Sequence, residues 1–310
     1  MSLLLYNDSD TILKQAKKRK TSTFSTFLHM LYIAGFAAVA YLIREAWPYY
    51  TLGLSDRPRS PLHTLWKPGG FLGHGLGIIG SAMILLLFLY SARKRQWFGL
   101  RWGKLSRWLD IHIFFGIFGP ILVTLHTSFK LNGFISIGYF ALLAVMFSGI
   151  IGRYIYMQIP HTLEGHALTL EQLDSKDRLI TRILVEKYRI SKSFLMLLQK
   201  LSGAHLAQKR RGFWLFISLL FNDLLRGYRF RKIRRYLVRH NPDIPGRALK
   251  ELLHLSRQKT LLMRRKLMLH FMQKAFHYWH VLHKPFAYLM LVLMFLHVAI
   301  VLALGYKWIF

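Results

Sequence analysis

The chain has 310 residues, 53% of them hydrophobic, and 44 Lys and Arg against 13 Asp and Glu give it a formal charge of +31. A positive mean hydropathy at that charge excludes an ordinary soluble protein, because the apolar residues must be gathered into blocks. The lack of cysteine excludes disulfides, thioether-linked haem and cysteine-ligated iron–sulfur clusters, so any metal is held through nitrogen or oxygen.

In chain order, the basic run Lys17, Lys18, Arg19, Lys20 precedes an apolar stretch over 24–43. That stretch is long and no small-residue cleavage site follows it, so it reads as a signal anchor. Four further stretches, 71–90, 109–129, 134–156 and 285–306, reach the ~20 residues a bilayer requires. Residues 213–225 are also apolar but too short to span, and they are flanked by Lys209, Arg210, Arg211 and Arg226. An interfacial or partner-facing helix is predicted there. Apolar residues recur at helical spacing in 180–201 and in 248–276. Between them, Asn241-Pro-Asp-Ile-Pro-Gly246 forms a break after which Arg247 opens a helix. This helix is expected to carry Leu255, Leu262, Leu267 and Phe271 toward whatever it packs on, and to run into the last span with Pro285 at its mouth.

The fold class predicted is therefore an all-α membrane protein with five transmembrane helices forming a bundle. A basic N-terminus (1–23) leads into four transmembrane helices (24–156). A basic helical cytoplasmic insert (157–270) precedes a lead-in helix and the fifth span (271–310). Lys and Arg in short loops stay on the cytoplasmic side. Lys17 to Lys20, then Arg93, Lys94, Arg95, Arg101, Lys104 and Arg107, fall on one side with the insert, which holds more than half of the basic residues. A multi-pass protein of a bacterial inner membrane with a cytoplasmic N-terminus is expected. Because the cationic segments are attached to spans and mixed with Leu, Phe and Trp, anionic lipids and acidic proteins are the expected partners, and nucleic acid is not.

The third stretch carries His112 and His126, fourteen residues apart, and the fifth carries His283 and His297 at the same interval. Fourteen positions fall about 40° from a whole number of turns and rise about 21 Å, so each pair faces one way near opposite membrane surfaces. Both helices start on the cytoplasmic side if the insert does not cross, which levels His112 with His283 and His126 with His297. Each level then offers one imidazole to either face of an iron porphyrin. Gly116 and Gly119 remove bulk between the ligands, and Pro120 bends the helix. A lone intramembrane histidine is often a packing residue, whereas two pairs on one spacing are hard to obtain from packing.

Paired histidines of this kind resemble those of the cytochrome b of quinol-oxidising complexes and of ferric reductase-like haem domains. The resemblance covers the membrane portion only. It implies two non-covalent haem b groups, ligated by His112, His126, His283 and His297, and electron transfer across the membrane with quinone or quinol and other redox subunits as partners. No flavin or nicotinamide domain follows the last span, so a subunit or relay is expected and not a self-contained reductase. Secondary candidates are His74, at the mouth of the second span as an alternative ligand to the outer haem, a propionate contact, a quinone ligand or a residue of a third metal; His280, the rival of His283; and Arg153 and Lys130 as propionate partners. His29 is expected to pack, and His161, His166, His205, His240, His254 and His270 to be solvated or structural. Two other classes compete. A non-haem iron oxygenase or desaturase needs His-His clusters on one membrane face, and no His-His pair occurs. A structural subunit binding lipid or a partner leaves the histidines incidental.

Overall fold

The computed structural model describes residues 23–160, 168–203, 212–240 and 244–305. Among these the secondary structure is entirely helical. Five helices are long and apolar enough to cross a membrane, the architecture of a multi-pass membrane protein. Two compact units divide the chain, one of residues 21–154 with 276–310 and the other centred on 155–275.

The first unit begins with α1 (Thr23–Tyr50), then a short α2 (His63–Trp66) and α3 (Phe71–Lys94). It continues through α4 (Leu105–His126) and α5 (Ile135–Gln158) and closes with the end of α10 (Gly246–Ala303), which runs unbroken through Pro285. Helices in lipid gain little from burying Leu against Leu, so close approach over small residues and interhelical polar bonds matter more. The α3–α4 pair shows both. A Cβ on Gly80 would lie 3.1 Å from the Gly119 carbonyl, and one on Gly119 would lie 3.4 Å from the Gly80 carbonyl. Gly119 is therefore a packing residue, whereas a Cβ on Gly116 would meet only Leu87 Cδ2 at 3.8 Å and leaves the open side expected of both.

Glycines also set the α5–α10 contact. A Cβ on Gly138 would come 3.0 Å from Leu293 Cβ, and one on Gly152 would enter the Trp279 indole at 2.2 Å. The direction of each helix follows from paired contacts. Asp110 meets Arg153 and Thr124 meets Tyr139, so α4 and α5 are antiparallel. Gly138 with Leu293 and Gly152 with Trp279 make α5 and α10 antiparallel too. It follows that α4 and α10 are parallel.

The second unit contains α6 (Leu170–Arg182), a π-helical turn (Ile183–Lys187), α7 (Lys192–Leu201), α8 (Gly212–Leu224), α9 (Arg226–His240) and the first part of α10. Its core is an apolar cluster that includes Ile183, Leu184, Phe194, Leu198, Ile233, Leu237, Leu252 and Leu255. The helical spacing across 180–201 is interrupted, since Arg189 takes φ +47° and the chain turns before Ser191 caps α7 through Phe194 N–H. Residues 213–225 fall in α8 and the turn after it; at 13 residues that helix is about 20 Å long, short of a bilayer. Gly246 opens α10 one residue before Arg247, and residues 241–243 of the expected break lie outside those described. On α10 Leu255 is buried as expected but Leu267 is 54% exposed, because the buried stripe runs instead through Leu252, Ser256, Lys259, Met268 and Met272.

Candidate cofactor site in the helix bundle

Parallel α4 and α10 bring the four spaced histidines together in two pairs. At one level the rings of His126 and His297 have centroids 6.3 Å apart and are inclined by 64°. At the other, His112 is an electrostatic neighbour of His283. His74 is a neighbour of both His126 and His297, yet among the described residues no three such groups converge as a self-sufficient metal site.

What holds these rings was only partly visible in the sequence. His112 Nδ1 lies 3.0 Å from the Leu87 carbonyl, and His126 Nδ1 lies 2.8 Å from the Gly73 carbonyl. Leu87 and Gly73 are fourteen apart on α3, with Gly80 at their midpoint facing Gly119, so the histidine ruler has an antiparallel copy in backbone carbonyls. A carbonyl only accepts hydrogen bonds, which places the neutral ring's proton on Nδ1 and leaves the Nε2 lone pair free. Gly77 makes room for this, since a Cβ there would sit 2.7 Å from His126 Nδ1.

His283 is held by side chains. Ser148 Oγ donates to the Val145 carbonyl at 2.9 Å and so receives the Nδ1–H of His283 at 2.6 Å. Trp279 stacks on the same imidazole, centroids 4.7 Å apart, and its indole N–H donates to the Ser148 carbonyl at 2.7 Å. His283 thus also presents Nε2. His280, one turn earlier, donates to its own helix at Phe276 and lines an open groove with His277, Lys284 and Tyr288. Ser148 and Trp279 escaped the sequence analysis; a serine in an apolar span was the available signal for the first.

Arg153 is already engaged, 3.2 Å from Asp110, and this ion pair ties α5 to α4 close to His112. Lys130 is exposed, in the turn after α4. That turn is clamped by a residue the sequence did not single out. Arg57 is 7% exposed and donates to the carbonyls of Leu52, Tyr50 and Ser128, while Ser128 Oγ donates to the Trp66 carbonyl at 2.6 Å. Ser128 and Phe129 take φ of +48° and +59°, a conformation that costs L-residues energy and that Arg57 holds in place beyond His126. Of the remaining histidines, His29 bonds the Ser25 carbonyl of its own helix, His240 bonds Tyr236, His254 contacts Gln258 and His270 is exposed. His161, His166 and His205 lie outside the described residues.

The ring spacing of His126 and His297 fits a haem. A metal–imidazole bond of about 2 Å on each side, plus roughly 1 Å from nitrogen to ring centre, calls for centroids about 6 Å apart, as at His126 and His297. Metal-bound imidazoles ordinarily donate their other N–H to a carbonyl or similar acceptor, as His112, His126 and His283 do. Comparison with protein-family models, curated proteins and solved structures returns no match.

Proposed function

We propose that this chain is a di-haem b-type cytochrome subunit that carries electrons across the membrane between a quinone pool and a partner redox protein. The observation that carries it is the pairing of His126 with His297 at 6.3 Å on helices that also level His112 with His283. His126 with His297, and His112 with His283, would hold a haem at each level, and a haem so held would supply a one-electron iron couple suited to electron transfer over oxygen binding. The chain's own part is to present Nε2 from each level: α3 carbonyls orient His112 and His126, and Ser148 with Trp279 orients His283. Apolar spans keep water away, and Gly116 leaves space beside α4 between the levels.

A bare iron centre asks for at least three gathered protein ligands, and none is formed among the described residues. Two imidazoles per level match a porphyrin, which brings four nitrogens of its own. The quinone half of the proposal rests on the resemblance to quinol-oxidising cytochromes. The charge distribution supports a bacterial inner-membrane protein with N-terminus and insert in the cytoplasm. The test is the haem content of the purified chain expressed with ample haem supply. A low-spin b-type reduced-minus-oxidised spectrum at about two haems per chain is expected. Absence of haem overturns the assignment.

A further inference from the structure

α8 and α9 form one nearly continuous rod. Only Leu225 separates them, and its N–H bonds the Phe221 carbonyl at 3.1 Å while its carbonyl accepts the Arg229 N–H at 3.2 Å, so the chain keeps a near-helical course across the one-residue break. Residues seven apart on such a rod lie within about 20° of each other. Trp214, Phe221, Tyr228 and Arg235 form one such row, and Leu225, Lys232 and Arg239 form a second beside it. The stripe is apolar over its first half and cationic over its second.

Both halves are uncovered. Trp214, Phe221, Leu224 and Leu225 are 67%, 60%, 73% and 58% exposed, and Lys232, Arg235 and Arg239 are exposed as well. The opposite side of α9 is spent on the core, through Ile233 at 1% and Leu237 at 0% exposure. Between residues 201 and 240 Asp223 is the sole acid, and it is bound to Arg264, so the stripe's cations have no carboxylate of their own rod to meet.

We infer that this stripe is a docking surface for the anionic leaflet of the bilayer, with the α8 half entering the headgroup–acyl boundary and the α9 half binding lipid phosphates. An apolar strip containing Trp and Phe beside a Lys- and Arg-rich one is the pattern of helices that lie in a membrane interface. Each basic residue near an anionic surface adds to the attraction. The segment is also bound covalently to spans at both ends, through α5 and α10, so a bilayer is always within reach. A second copy would satisfy the stripe poorly: parallel association sets cations against cations, and antiparallel association sets them on Trp and Phe. The inference is independent of haem.

The cysteine-free sequence makes the test direct. Full-length F221C, carrying a single environment-sensitive fluorophore, is reconstituted in phosphatidylcholine vesicles with about 30% phosphatidylglycerol and brominated acyl chains, which quench only a label inside the bilayer. L224C is a second reporter in case F221C folds poorly. M196C, on the exposed side of α7 (62% exposed), is the aqueous control. Quenching at 221 or 224 but not at 196 is expected, falling roughly threefold without phosphatidylglycerol or in the K232Q/R235Q/R239Q variant. A label at 221 and 224 that stays unquenched overturns the proposal, and one shielded only after a membrane extract is added assigns the stripe to a protein partner instead. Equal quenching with and without anionic lipid overturns the charge-driven docking proposed here.

Discussion

The two units hold their helices together by opposite means. In the bundle, close approach is made by Gly80 and Gly119, Gly138 and Gly152, and specificity by histidine–carbonyl and serine–histidine bonds. In the insert, a cluster of Leu, Ile and Phe is fastened by ion pairs whose basic partners are buried: Lys259 with Asp177, and Arg264, 4% exposed, in a two-pronged bond to Asp223. Solvent explains the contrast. Lipid offers no gain for burying one apolar side chain against another, whereas water does, at about 25 cal/mol per Å². The bundle should thus be sensitive to added volume and the insert to lost partners.

The largest effect is expected where added volume meets a proposed haem ligand. In G77L the side chain has to occupy the space of the His126 ring, which already lies 2.7 Å from a Cβ at that site. On the proposed two-haem assignment, haem content should fall from about two to about one per chain, and H126A should do the same without adding volume to α3. Retention of both haems in G77L would show that glycine packing is not what sets the ring. The counterpart in the insert is D223A. It removes the carboxylate that neutralises the buried Arg264 cation, leaving that cation the neutral Gln158 amide oxygen, and removes a partner of Gln158, a loss of about 3 kcal/mol in the unfolding of this unit. Limited proteolysis in urea, with the haem spectrum as an internal control, reads the two units separately.

Most of the architecture was legible because a twenty-residue apolar block and a fourteen-residue histidine interval are long-range patterns written in single residue types. What was hidden is relational. Nothing in the sequence said that Gly73 and Leu87 would offer carbonyls at the spacing of His126 and His112, because every residue has a carbonyl and only the antiparallel register of α3 and α4 selects two of them. Nothing in the sequence set Arg57 apart, yet its guanidinium fills the role of a cap for three carbonyls. Leu267 was expected inside from its spacing, but Lys259 and Arg264 take buried positions on α10 through acids in Asp177 and Asp223 that lie far away in the chain.

An intermediate effect tests whether orientation matters apart from volume. S148A removes the acceptor for His283 Nδ1–H and leaves Trp279 stacked on the ring. Loss of such a supporting bond ordinarily weakens metal binding about 10- to 100-fold, so on the proposed assignment the level of His112 and His283 should lose haem on dilution or competition while the His126 level keeps it. S148T, which retains a hydroxyl, should restore binding in part. Equal loss at both levels would mean that Ser148 acts on the bundle as a whole.

The smallest expected effect lies in the insert and depends on pH. Burial first, then the hydrogen bond to Glu251 and the charge of that carboxylate, push the Tyr188 phenol above its usual value of 10.0. The phenol is neutral when protonated, so a raised folded value means that the folded insert holds this proton more tightly than the unfolded chain does. The stabilisation is complete below about pH 10 and is lost as pH climbs through the folded value. Y188F deletes the bond to Glu251 and should cost about 1 kcal/mol at neutral pH. Lysines titrate in the same alkaline range, so the informative quantity is the difference between the two proteins. That difference, followed by urea unfolding of the insert, should be constant up to about pH 10 and shrink above it. A gap that stays unchanged through alkaline pH would assign the loss to packing of the ring and not to its proton.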